Sequence, residues 1–124
     1  MMGLDVEQVK AILDALVRGT RELEGAGLVT PDGLPLVSVL PSGMDEDQVA
    51  AMSAVMLTLG ERIGQELSRG NVERIAVDGG YGRCILASCN EDAVLLVLAS
   101  RAAKEGILLL AIKQAVMALN KIMM

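Results

Sequence analysis

Apolar residues recur along the chain with two different periods. From Asp5 to about Glu22, Val6, Val9, Leu13 and Leu16 follow one another at helical spacing, and Ile12 and Val17 widen the stripe. That spacing predicts an amphipathic helix, with Asp5 able to cap its start and Gly25 and Gly27 marking its end. Two short apolar runs come next, Ala26–Thr30 and Pro35–Leu40, joined through Thr30-Pro31-Asp32-Gly33. Proline presets φ, aspartate can bond its own backbone and glycine accepts positive φ, so the pair predicts a β-hairpin.

Pro41-Ser42-Gly43 breaks the pattern. Asp45, Glu46 and Asp47 then place negative charge where a helix macrodipole favours it, and a helix is predicted from there to about Arg69. Val49, Met52, Met56, Leu59, Ile63 and Leu67 form a near-heptad stripe along it. The first half also carries Ala50, Ala51, Ala54, Val55 and Leu57, so it is apolar around most of its circumference. One sheet needs only one apolar face. The second face implies a second surface, either within the chain or on a twin subunit, where small Ala and flexible Met suit close packing.

Three more strands are predicted: Val72–Asp78, Tyr81–Ser88 and Ala93–Ala99. The first alternates, with Glu73, Ile75 and Val77 on one side and Val72, Arg74 and Ala76 on the other. The last, AVLLVLA, is apolar throughout, which places it centrally with both faces covered. A closing helix runs from about Ala102 to Met123, with Leu108, Ile112, Ala115, Leu119 and Ile122 on one stripe. The order α-β-β-α-β-β-β-α, with short hairpin connections, predicts an α+β domain spanning residues 1–124 around one antiparallel sheet.

Composition sharpens this. The chain has 124 residues, 52% of them hydrophobic. A chain of this size buries roughly 65–70% of its unfolded surface, so the apolar excess points to self-association. The net charge of −5, with eleven basic residues scattered among sixteen acidic ones, argues against nucleic acid or an anionic membrane surface as partner. Tyr81 is the only aromatic residue, so no base-stacking platform exists. The uncharged apolar run Ala93–Ser100 is too short to span a bilayer, and the start MMGLDVEQVK has no signal-peptide core. No direct membrane insertion is expected, and the cytoplasm is the expected compartment. Cys84 and Cys89 lie five apart, on opposite faces of one strand, so they are expected to be reduced, buried and unbridged.

Candidate chemistry is sparse. Without histidine there is no Ser-His or Cys-His pair, and two cysteines alone make no zinc site. Lys10, Lys104, Lys113 and Lys121 fall at polar helix positions. Asp78 precedes Gly79-Gly80, where a turn wants aspartate. The segment VDGGYGR is glycine-rich, but a strand rather than a helix follows it, so no helix dipole is available for a phosphate. No catalytic, cofactor-binding or metal-binding residue is expected, and the chain reads as a binding module rather than an enzyme. A small-ligand-sensing module is the alternative, with Ser38, Cys84 or Ser88 as possible buried polar groups.

Three stretches resemble the roadblock/LC7 family, and within it MglB-like regulators of small GTPases. LEGAGLVTPDGLPLVS is similar to the family's opening hairpin, AAMSAVMLTLGERIGQEL to its long central helix, and GRCILASCNEDAVLLVLASRAAKEGILLLAIKQAVMAL to its last two strands and closing helix. The resemblance implies a profilin-like fold and a homodimer in which central helices pair and sheets join, here through Asp45–Arg69 and Val72–Asp78. It also implies binding of a small Ras-like GTPase, as activator or scaffold, without an arginine finger. The expected interface residues are Val49, Met52, Ala54, Val55, Met56, Leu59, Ile63, Ile75 and Val77.

Overall fold

A computed structural model describes residues 4–123; the reading of the MMG start falls outside them. Its elements run α1 (Val6–Gly19), β1 (Leu23–Val29), β2 (Pro35–Val39), α2 (Glu46–Glu66), β3 (Arg74–Gly79), β4 (Gly82–Asn90), β5 (Ala93–Ala99) and α3 (Glu105–Met123). All strand pairs are antiparallel, in the order β2-β1-β5-β4-β3. This is the predicted element order.

The all-apolar β5 lies at the centre, and its alternation explains its composition. Ala93, Leu95, Val97 and Ala99 join a core with Val9 and Leu13 of α1 and Leu108 and Ile112 of α3. Val94 and Leu96 point the other way, into a smaller core with Val29, Leu86 and the α2 residues Ala50 and Leu57. The sheet is thus covered by α1 and α3 on one side and by α2 alone on the other.

Local signals set most boundaries. Asp5 caps α1, its carboxylate accepting from the Gln8 amide at 3.2 Å. Asp45 does the same for α2, accepting from the Asp47 amide at 2.9 Å. The hairpin tip is as read: Gly33 has φ +98°, and the Thr30 hydroxyl accepts from the Leu34 amide at 2.9 Å while donating to Asp32.

Several ends move. α1 stops at Gly19 rather than Glu22, because Thr20 turns extended and Glu22 takes φ +70°. Gly25 and Gly27 therefore do not end the helix. They lie inside β1, which starts at Leu23 because its backbone pairs with β5 from Leu23↔Ala99 onward. Tertiary pairing here overrides the weak strand preference of glycine. α2 ends at Glu66, where the amides of Arg69 and Gly70 both turn back to the Gly64 carbonyl.

α3 needs a correction of another kind. Among the described residues, it is one helix long and apolar enough to cross a membrane by length and composition. Lys113 and Lys121 interrupt its apolar sequence, so it contains no long uncharged run. In the fold, Leu108, Ile112, Ala115 and Leu119 bury one face of it against the sheet and α1.

Candidate functional site

The central helix α2 turns its smallest residues inward. Ala50, Ser53, Leu57, Gly60 and Gly64 are its buried positions. Ser53, fully buried, satisfies its hydroxyl by donating to the Val49 carbonyl at 2.8 Å. The glycines let the helix approach closely. A Cβ on Gly60 would lie 2.4 Å from Ile75 Cδ1, and one on Gly64 would lie 2.5 Å from the Gly70 carbonyl oxygen.

The stripe of large apolar residues is therefore not the sheet-facing one. Met52, Val55, Leu59 and Ile63 follow one another at steps of three and four along the solvent side of α2, each about half exposed or more, and Leu67 beyond the helix end is also exposed. Periodicity weights large side chains, so the predicted stripe combines most of this row with the half-buried Val49 and Met56 and overlooks the small residues that seat the helix. A second apolar face is present, as read, and it is the outer one. Ala54, Val55, Thr58, Leu59 and Arg62 frame a shallow depression on the outer face.

The nine expected interface residues divide accordingly. Met52, Val55, Leu59 and Ile63 on α2 and Val77 on β3 are exposed. Val49, Met56 and Ile75 are half-buried against the core beneath α2. Met56 lies 3.8 Å through its sulfur from Cys84 Sγ. Ala54 sits under the hairpin tip, 3.3 Å from where a Cβ on Gly33 would be. β3, which carries Ile75 and Val77, is an edge strand with one side of its backbone unpaired by this sheet.

The reactive groups are occupied structurally. Asp78 ion-pairs with Arg83 across the β3–β4 hairpin, and Arg83 also reaches Glu105 at 3.2 Å. These two carboxylates hold the guanidinium of Arg83 above its usual pKa, Asp78 first. The VDGGYGR segment is a tight hairpin turn at Gly80-Tyr81, with Tyr81 fully exposed. Among the described residues, no three His, Cys, Asp or Glu side chains cluster as metal ligands.

Cys84 and Cys89 are unbridged and lie on opposite faces, but both are half-buried rather than buried. Burial pushes the Cys84 thiol up, and pushes that of Cys89 up to about 12. Ser38 is likewise half-buried and Ser88 is exposed. Ser38 on β2 and Cys84 on β4 are three strands apart, roughly 14 Å at the usual strand spacing, so they do not converge on one pocket.

An α2-over-sheet layer backed by two helices defines a profilin-like fold. Profilin II of Acanthamoeba castellanii shares it at a TM-score of 0.65 and 13% identity, over 90% of this chain and 95% of that one. MglB of Myxococcus xanthus is nearer, at a TM-score of 0.89 and 18% identity over 97% and 98%. The uncharacterized protein MJ0310 of Methanocaldococcus jannaschii is 28% identical over 96 residues, 77% of this chain and 83% of that protein. The sequence pattern of the Roadblock/LC7 domain matches residues 9–99. The chain belongs to the Roadblock/LC7 family.

Proposed function

We propose that the chain is a homodimeric interaction protein of the cytoplasm that binds a small Ras-like GTPase, as activator or scaffold, and catalyses no reaction itself. One observation carries this reading: Met52, Val55, Leu59 and Ile63 form a solvent-facing apolar row on a helix seated by small residues. A helix exposing large aliphatic side chains in register is suited to pair with its own copy across a two-fold axis. The free edge of β3 beside it offers backbone hydrogen bonds to the same contact. A stable interface of this kind buries about 800 Å² per partner, more than one helix face alone supplies, so both elements take part.

Family membership and the fold shared with MglB support the GTPase as partner. With no histidine and with Asp78 committed to Arg83, the chain's contribution is to hold and orient groups of the GTPase itself.

Sedimentation analysis of the protein and of Leu59→Glu tests the dimer. The expected result is twice the chain mass for the former and the chain mass for the latter, both folded. Capture from a native lysate with a GTP analogue or with GDP tests the partner. A small GTPase enriched with the analogue supports the activator role, and nucleotide-independent enrichment supports the scaffold. A monomer, or capture of no GTPase in either state, overturns the corresponding half of the proposal.

A further inference from the structure

On the side of the sheet away from α2, coverage is incomplete. Strands lie about 4.8 Å apart and a helix is about 10 Å across, so two helices cover four strands. The core beneath α1 and α3 draws on β1, β2, β4 and β5 and takes no residue from β3. Arg74 and Ala76, which share that face through their pairing with Ala87 and Ile85, are exposed. A groove remains between β3 and the flank of α3. Leu109, Leu110, Val116 and Met117 form its helical wall, and Arg74 and Lys113 stand over it. Leu110 and Met117 are each 56% exposed.

The charge of this region runs against that of the chain. From residue 101 onward there are four basic residues, Arg101, Lys104, Lys113 and Lys121, and one acid, Glu105, which Arg83 engages. No acid follows Glu105 in α3. Arg74 and Lys113 are in no ion pair among the described residues, and Glu73 is the single acid at the groove's rim. Two of the chain's eleven basic residues, Lys113 and Lys121, lie on α3, and Lys113 and Arg74 line the groove.

We propose that this groove docks an acidic amphipathic helix of a partner protein, lying beside α3 and over β3. The edge strand β3 leaves this layer open on the side of α3. The partner's apolar side chains would meet Leu109, Leu110, Val116 and Met117, and its flanking carboxylates would meet Arg74 and Lys113. The groove and α2 lie on opposite faces of the sheet, and only the edge of β3 is shared between the groove and the proposed dimer contact.

The test uses the full chain and two peptides of about 18 residues, matched to the length of α3. One is built of Leu, Ala and Glu with a single apolar face; its twin has every Glu replaced by Lys. The Glu peptide should bind, shifting the NMR signals of Leu110, Lys113, Val116 and Met117, and salt should weaken it. The double variant Arg74→Glu with Lys113→Glu should bind it at least about tenfold more weakly and take the Lys peptide instead. Both positions are exposed, so the variant should fold normally, which its amide spectrum checks. Equal binding of both peptides, shifts confined to α2, or binding of phosphatidylserine vesicles in place of the Glu peptide would overturn the inference.

Discussion

Ile75 of the edge strand β3 fills the space that a side chain at Gly60 of α2 would need, with its Cδ1 at 2.4 Å from the Cβ position. Gly64, one turn on, faces the Gly70 carbonyl oxygen at 2.5 Å from its own Cβ position. The two notches differ in what must yield: the flexible end of a side chain at Gly60, backbone at Gly64. Gly64→Ala should therefore destabilise by about 1–3 kcal/mol. Gly60→Ala should cost less, because isoleucine can rotate and alanine favours helix by about 1 kcal/mol. Adding Ile75→Val to Gly60→Ala should recover the residual loss. Urea unfolding of the three variants measures the order, and equal costs would mean that the helix is not seated through these glycines.

That seating was the part of the site hidden in the sequence. Element order, the central place of β5, the hairpin at Thr30–Gly33, the Asp5 cap and the acidic start of α2 were legible, because each rests on local chemistry or on alternation of large residues. Which face of α2 meets the sheet was not. Ala50, Ser53, Gly60 and Gly64 carry almost no hydrophobic signal, yet they decide the approach distance. The glycine pair four residues apart was the available clue. The start of β1 at Leu23 was hidden for a different reason, since its partner Ala99 lies far along the chain.

Asp32 illustrates a legible element with a modest effect. Its carboxylate accepts from the Thr30 hydroxyl, which in turn accepts from the Leu34 amide. Asp32→Ala leaves the second bond in place, so thermal unfolding should show a loss of about 1 kcal/mol or less. A much larger loss would mean that the tip's contact with Ala54 depends on this aspartate.

The cysteines predict a signed response to alkali. Cys89 keeps its proton up to about 12 in the folded chain, because burial disfavours the thiolate. An unfolded thiol ionises near pH 8.5. The folded state thus binds more protons between these values. The stability this group contributes is complete below about pH 8.5 and declines as pH rises toward 12. Cys89→Ala should flatten that decline, at the cost of a small cavity. Urea midpoints measured from pH 8 to 10.5 in both proteins check the slope. Iodoacetamide at pH 8 should also label both cysteines more slowly in the native chain than in urea, since both thiols are raised.

Leu57 and Leu59 separate the two faces of α2 within one turn. Leu57 is 7% exposed and Leu59 57%. Truncating Leu57 to Ala removes core contacts with the sheet and should cost about 2–5 kcal/mol. The same truncation at Leu59 removes little within one chain, and in a monomer should stay within about 0.5 kcal/mol. In a dimer joined through this face, Leu59→Ala would instead lower stability in a concentration-dependent way, because unfolding is then linked to dissociation. Denaturation at protein concentrations a hundredfold apart therefore reads the role of the outer face directly. A midpoint that rises with concentration in the parent chain, and rises from a lower starting value in Leu59→Ala, assigns Leu59 to an interface. Midpoints independent of concentration in both would leave the outer row as surface on a monomer. Leu57→Ala serves as the control: it should lower the midpoint by a similar amount at every concentration, since what it loses lies inside the chain.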